Sequence, residues 1–260
     1  MAGAGDQAAS AIGNGIVEPG MVSCTLGTSG VVFAYTQAPA YDPPGRVHTF
    51  CHAVPAAWHV MGVTQGAGLS LKWFRESLAP ATSYDDLTAE AAGAPPGSQG
   101  LFWLPYLMGE RTPHLDPQVR GGWIGLTASH TRADLIRSLL EGVSYSQRDC
   151  LEIIEGMGIR VNSVRVSGGG ANSVFWRQML ADMFRKRVVA LETQEGSAYG
   201  AALLAMIGAG VFGSAVELCR TAIREIESAE PVSFNANVYA EGHRNYQSLY
   251  PALSPFYRSR

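Results

Sequence analysis

An α/β fold is what this 260-residue sequence predicts, and two stretches predict it. Between residues 21 and 64, short apolar, β-branched runs alternate with turn residues, the mark of antiparallel strands. Between residues 161 and 191, a strand pattern, a glycine turn, a helical pattern and a second strand pattern follow one another. With 47% hydrophobic residues the chain can bury a sizeable core, as one large domain or two small ones. No linker, repeat or low-complexity tract divides it, so one unit over residues 1–260 is expected.

At the start, Asp6 lies between Gly5 and the small-residue run Ala8-Ala9-Ser10-Ala11, where a helix begins and would use the aspartate as a cap. Met21 to Thr36 reads as a hairpin with the tip Gly27-Thr28-Ser29-Gly30. Pro39, Pro43, Pro44 and Gly45 then lead to two more strands, His48 to Val54 and Trp58 to Val63, making four antiparallel strands in all. A helix follows over Gly66 to Leu78 with Leu69, Trp73 and Phe74 on one side. Ser83 can cap a second, Tyr84 to Ala92, whose positive first turn holds Asp85 and Asp86.

Leu101 to Met108 is a buried-strand candidate. The polar stretch Gly109 to Gly122 holds Glu110-Arg111-Thr112-Pro113 and Asp116-Pro117, and is either functional or a surface excursion pinned by an Arg–carboxylate pair. Thr131 and Asp134 form a capping-box pattern for a helix to about Glu155, with Leu135, Leu139, Val143 and Leu151 on its face. Val161 to Val166 is a strand, Val174 to Phe184 a helix with Trp176, Met179, Leu180 and Met183 on one stripe, and Arg187 to Leu191 a strand. Helices over Ala198 to Ala209, Val216 to Ile226 and Val238 to Tyr250 finish the chain, and the first is rich enough in alanine and glycine for close packing.

A net charge of −3 argues against sequence-independent nucleic-acid binding, which needs a basic face. The one basic cluster, Arg185-Lys186-Arg187, falls at a helix end, where cations suit the dipole. Cys24, Cys51, Cys150 and Cys219 lack paired spacing, so neither a disulfide framework nor a zinc site is expected. His48, His52 and His59 fit no metal-ligand spacing. The amino terminus lacks a basic start and apolar stretch, and no run nears the ~18 apolar residues of a membrane span. A reduced, cytoplasmic setting without membrane partners is the expectation.

Chemistry gathers at three glycine turns: Gly5-Asp6-Gln7, Leu26 to Gly30, and Ser167-Gly168-Gly169-Gly170-Ala171-Asn172-Ser173. Glycine lets a phosphate or sugar approach backbone N–H donors closely. The hairpin tip offers N–H groups and two hydroxyls to anionic oxygens, and no Walker-type lysine motif occurs. Alternatively it is an ordinary turn. The third turn, with Gly168, Gly170 and then Glu192 about 20 residues beyond, approaches the dinucleotide fingerprint, which keeps an NAD-dependent oxidoreductase open. Against it, Ser173 replaces the third glycine. Without a redox cofactor, Gly169 and Gly170 suit a flat adenosine, and Asn172 or Ser173 can bond its edge or cap the helix. Asp6, facing an alcohol, can accept its proton during phosphoryl transfer.

Six segments in order, Gly3-Ala4-Gly5-Asp6-Gln7-Ala8-Ala9, Val17 to Gly20, Leu26 to Gly30, Gly109-Glu110-Arg111-Thr112-Pro113-His114, Gly125-Leu126-Thr127 and Ser167 to Ser173, closely resemble the carboxy-terminal half of the FGGY carbohydrate kinases. The resemblance runs the whole chain. It implies a ribonuclease H-like, actin-type ATPase domain, with a mixed five-stranded sheet and helices on both faces, using ATP and Mg2+. It makes Asp6 the catalytic base, and Gly27 and Thr28 the phosphate hairpin. Gly68 and Lys72 fall beside the nucleotide, and Gly169, Gly170, Asn172 and Ser173 at the adenosine. Lys72 is one of only two lysines, and a solvated helix residue is its other reading.

Leu104-Pro105-Tyr106 ahead of Gly109 points to members acting on D-xylulose over those acting on glycerol, with ribulose, gluconate or glycerol as alternatives. The family's amino-terminal lobe, with its D-x-G-T motif and most sugar contacts, has no counterpart in these residues. Weak nucleotide binding and negligible sugar phosphorylation are therefore expected of them alone. A non-catalytic binding module is the third reading, and a homodimer stays open.

Overall fold

The computed structural model describes residues 3–193 and 195–258. Its first helix, α1 (Asp6–Gly13), carries Ala8, Ala9 and Ala11 on a buried side. The hairpin follows as β1 (Gly20–Leu26) and β2 (Gly30–Thr36), with Leu26 opposite Gly30 and Val22 opposite Ala34. The next two strands form at β3 (His48–Cys51) and β4 (Trp58–Thr64), completing four antiparallel strands.

Helix α2 (Gly68–Leu78) starts two residues later than its pattern suggested, and its buried positions are Ser70, Leu71 and Phe74, with Leu69 and Trp73 half-buried. Helix α3 (Tyr84–Ala92) is capped as expected, Ser83 Oγ accepting from the Asp86 N–H at 3.1 Å. The strand expected over Leu101 to Met108 is only β5 (Phe102–Leu104), because Pro105 offers no N–H to continue a ladder. It pairs with β6 (Gly122–Ile124).

Helix α4 (Arg132–Gly156) opens on the Thr131–Asp134 capping box and runs almost wholly buried. Then come β7 (Val161–Ser167), α5 (Val174–Phe184), β8 (Arg187–Leu191) and α6 (Gly196–Gly208). Two expectations fail beyond this point. The helix read over Val216 to Ile226 stops as α7 (Ala215–Ala222), and the chain extends into β9 (Glu225–Ala229). Ion pairs hold this exposed edge strand: Glu225 meets Arg165 and Arg187, and Glu227 meets Arg177. The last helix, α8 (Ser233–Arg258), is longer than Val238 to Tyr250 and runs through Pro251 and Pro255. Leu253 and Tyr257 pack that extension against the core.

One sheet, ordered β3-β4-β2-β1-β7-β8-β9, organises everything. Its central five strands mix antiparallel β4-β2-β1 with parallel β1-β7-β8, and edge strands β3 and β9 widen the expected five to seven. Alternation sends Val22, Cys24, Leu26, Val32, Val164 and Val166 to one face, beneath α2, α4, α5 and α8. Val31, Phe33 and Val63 face the other way, toward Ala11 and Ile16. Outside them α1 crosses α6 closely: a Cβ on Gly200 would lie 1.8 Å from Ala9 O, and one on Gly13 2.0 Å from Gly196 O. The glycine and alanine content of α6 is what permits that crossing.

Of the Arg185-Lys186-Arg187 cluster, Arg185 caps α5 and donates to Ala236 O and Asn237 Oδ1, while Lys186 pairs with Glu155 and Arg187 with Glu225. Among the described residues no helix is long and apolar enough to cross a membrane.

Candidate functional site

The parallel pairing of β1 with β7 sets Thr25 opposite Ser167, their hydroxyls 3.0 Å apart, so the hairpin tip and the third glycine turn leave the sheet side by side. They interlock. A Cβ on Gly168, whose φ is +83°, would stand 2.7 Å from Leu26 O, and one on Gly170 would stand 2.8 Å from Leu26 Cβ. The start of α2 closes on the tip from the other side, Gly68 N–H donating to Gly27 O at 2.7 Å, and Ala67 and Leu69 N–H to Thr28 O at 3.1 Å.

The tip's acceptors are thus used inside the fold. Its donors are not: among the described residues none accepts from the N–H groups of Gly27, Thr28 or Ser29. Between tip and turn opens a cleft of about 580 Å³, the size of a small-molecule site. Gly27 and Thr28, Gly68 and Lys72, and Gly169, Gly170, Asn172 and Ser173 all line it, so the eight positions expected beside a nucleotide come together.

Their local roles differ. Ser173 Oγ accepts from the Trp176 N–H at 3.2 Å and caps α5, while Ser173 also lines the cleft, so the cap and a contact with a ligand are compatible. Asn172 is exposed, its carbonyl held by Arg177. Around Gly169 an added Cβ would meet nothing within 4 Å, so that stretch of wall is bare backbone. Lys72 is exposed, with Nζ 3.8 Å from Glu76 Oε1.

The start of α3 supplies a wall that sequence reasoning missed: Tyr84, Asp85 and Thr88 line the same cleft as the glycines. Ser83 and Asp85 signalled only a helix start, and nothing in the pattern said where it would pack. Tyr84 is 41% exposed, with the Arg75 guanidinium 4.8 Å from its ring centroid.

Asp6 stands apart from the lining residues. It is the exposed first residue of α1, its Oδ1 accepting from the Gln7 N–H at 2.8 Å and its carbonyl from Ser197 Oγ at the start of α6. Glu192, the acidic end of the dinucleotide pattern, is also absent from the lining, and its N–H donates to Arg224 O. The Rossmann-like reading loses its ribose contact.

Other polar groups are structural. His48 faces Arg111, whose guanidinium lies 2.8 Å from Nε2. His52 and His59 are buried among Phe33, Tyr35 and Phe50, and burial holds both near 4, the neighbouring His59 adding to the effect on His52. Asp149, Glu152 and His243 are the one group among the described residues that gathers three candidate metal ligands. Both ring nitrogens already face carboxylates, Asp149 at 2.8 Å and Glu152 at 3.5 Å. Burial opposes the ring's charge, but these hydrogen bonds outweigh it and raise His243 to about 9, giving an imidazolium clasp between α4 and α8.

A larger hollow, about 870 Å³, lies between loop 40–46, His114 and the α4–α8 seam. No glycine turn reaches it. Its acids are paired already, Asp42 with Arg46, and Asp149 and Glu152 with His243, so the chemistry favours the smaller cleft. Among the described residues the stretch Gly109 to Gly122 is pinned without an Arg–carboxylate pair: Glu110 accepts from backbone N–H groups, and Asp116 from Tyr250.

Residues 22–209 match the carboxy-terminal domain of the FGGY family of carbohydrate kinases. The chain is 40% identical over 249 residues to the xylulose kinase of Bacillus subtilis, covering 96% of this chain and 50% of that one. It is 37% identical over 224 residues to the gluconokinase of the same organism, covering 82% and 43%. Among solved structures, a xyloylose kinase from Brucella ovis superposes with a TM-score of 0.89 at 37% identity, covering 97% of this chain and 52% of that one. The chain spans about half the length of the curated relatives it matches.

Proposed function

Because the chain belongs to the FGGY family of carbohydrate kinases, we propose that it is the ATP-binding part of a kinase that moves the γ-phosphoryl group of ATP to a hydroxyl of D-xylulose. One observation carries the reading: the hairpin tip and the third glycine turn interlock on a single cleft, and donors without acceptors sit at its edge. The Gly27 and Thr28 N–H groups bind the phosphates, where a side chain in place of glycine would hold the anion off. Bare backbone at Gly169 and Gly170 takes one face of the adenosine, Asn172 its edge, and Lys72 balances phosphate charge.

Asp6 is the proposed base. It takes the sugar hydroxyl's proton as that oxygen bonds to the γ-phosphorus and the bond to the β-bridging oxygen breaks, releasing ADP. Such general base catalysis contributes typically ~10²–10⁴-fold, positioning and electrostatics supplying the rest. Asp85 is the one carboxylate among the described lining residues, so they do not make a Mg2+ site by themselves. The ion enters as Mg·ATP, part of the substrate, and neutralises phosphate charge.

Thermal unfolding tests the nucleotide reading. Mg·ADP at 100 times its Kd should stabilise the fold by about 2.7 kcal/mol, while NADH leaves the transition unmoved; stabilisation by NADH alone would overturn the kinase reading. Assayed by themselves, these 260 residues bind nucleotide and phosphorylate no sugar. The gluconokinase relative favours gluconate as a second substrate. A chain extended to its relatives' full length and offered both sugars separates the two, and there Asp6→Ala must cost more than tenfold in rate.

A further inference from the structure

Glu110 is 3% exposed, at the head of the stretch Gly109 to Gly122. Its Oε1 accepts two backbone donors, Gln65 N–H and Arg111 N–H, each at 2.7 Å. Oε2 is buried without a partner among the described residues. Two residues on, Thr112 N–H donates to Val63 O at 2.9 Å, and Val63 N–H to Thr112 Oγ1 at 3.0 Å. Residues 110–112 therefore clip the end of β4, and the Glu110 carboxyl takes the Gln65 N–H where the ladder has run out.

The turn just after Gln65 grips the hairpin. A Cβ on Gly66 would lie 1.9 Å from Pro105 O, so the turn is wedged against the segment after β5. Ala67, Gly68 and Leu69 then give their N–H groups to Thr28 O, Gly27 O and Thr28 O. The carboxyl thus sits two residues from the first bond that fixes the tip.

We infer that Glu110 is a positioning residue for the phosphate hairpin, its buried carboxyl holding the turn at 65–69 against Gly27 and Thr28. The inference rests on the nucleotide reading for its functional consequence and on the hydrogen bonds above for its geometry. A neutral carboxyl leaves Oε2 uncharged in its dry position. An anion there would have to open the clip to reach water, because an unpaired buried charge costs far more than an unpaired neutral group.

The surroundings favour the acid form. Burial pushes Glu110 up to about 8 against the pull of the two N–H donors, with the Asp149 charge adding to the rise and Arg111 opposing it. Cys150 from α4, Tyr106 from the segment after β5 and Tyr246 from α8 also face it, and burial keeps all three protonated. Arg111 turns its guanidinium outward to His48 and gives Oε2 no partner.

The test compares the chain with its Glu110→Gln and Glu110→Ala variants, reading Mg·ADP affinity by calorimetry and Gly68 and Leu69 amide protection by exchange NMR, from pH 6.5 to 9. The unsubstituted chain should lose affinity above pH 8, toward tenfold per pH unit, and protection with it. Glu110→Gln keeps an uncharged acceptor and should hold both flat. Glu110→Ala should weaken ADP about tenfold at every pH, the effect of roughly one lost buried hydrogen bond. A Glu110→Gln variant that falls off with pH like the parent, or that matches Glu110→Ala at pH 7, overturns the inference. If ADP fails to bind but protection behaves as stated, the nucleotide reading fails and the positioning role stands; equal protection in parent and Gln variant at pH 9 sinks the role whatever ADP does.

Discussion

Replacing Gly68 with alanine puts the interlock under direct load. The added Cβ would stand 2.6 Å from Gly27 O, a backbone atom that cannot swing aside. Ordinary contact begins at 3.4 Å, so helix and hairpin must part by roughly 0.8 Å. That separation stretches the 2.7 Å bond from Gly68 N–H to Gly27 O and strains its two neighbours. Forced overpacking costs about 1–3 kcal/mol, and the better helix propensity of alanine returns at most about 1 kcal/mol. A net loss of about 1–2 kcal/mol lowers the Tm of a chain this size by a few degrees. Binding should suffer as well, because moving the tip lengthens the hydrogen bonds it is proposed to give the phosphates, and a hydrogen bond to a charged group is worth about 1.5–3 kcal/mol. Calorimetry with Mg·ADP beside thermal unfolding reads both effects. Gly169→Ala is the contrast: its Cβ meets nothing within 4 Å and Gly169 lines the cleft, so affinity should fall with Tm unchanged. A Gly68→Ala chain within twofold in affinity and one degree in Tm would refute the reasoning.

Three further outcomes are expected. Tyr84→Ala should weaken ADP about tenfold, within the ~1–3 kcal/mol of a base–aromatic stack, while leaving Tm alone because the ring is 41% exposed; unchanged affinity would remove Tyr84 from the site. His52 and His59 have folded pKa values of about 4, below the ordinary 6.5, so the unfolded chain binds more protons between those limits and stability drains away as pH falls through that window. The loss is on the order of 3 kcal/mol per ring at most, and urea midpoints at pH 7 and pH 4.5 will measure it; His59→Phe should shallow the slope. His243 has the opposite sign. Its folded value of about 9 is raised, so its stabilisation is complete below 6.5 and disappears as pH climbs through 9, and His243→Gln should erase that alkaline limb of the Tm profile.

The third glycine turn was legible because it must satisfy a backbone constraint that few residues can meet. Gly168 needs a positive φ and an absent Cβ beside Leu26, and the apolar strands on either side announce themselves by β-branched runs. Elements whose stability comes from distant partners were harder to see. Strand β9 exposes most of its residues and owes its place to arginines on β7, α5 and β8, so its sequence read as the tail of a helix. Helix α8 runs through two prolines because contacts such as Tyr250 with Asp116 fix its far end.

The cleft was half legible. The sides formed by the hairpin tip and the third glycine turn lie on motifs, while the wall at Tyr84, Asp85 and Thr88 depends on where α3 packs. Glu110 stood out in the sequence as part of a polar stretch and of a motif shared with the family, with no role attached to it. That its carboxyl is buried and takes the Gln65 N–H depends on a contact 45 residues away, which no local pattern encodes.

A structure of the chain with Mg·ADP bound is the most direct measurement. It should place the diphosphate on the N–H groups of Gly27 and Thr28, and the adenine between Tyr84 and the Gly169–Gly170 backbone. Nucleotide seated instead in the hollow beside His114 and Asp149, with the hairpin tip untouched, would contradict the account.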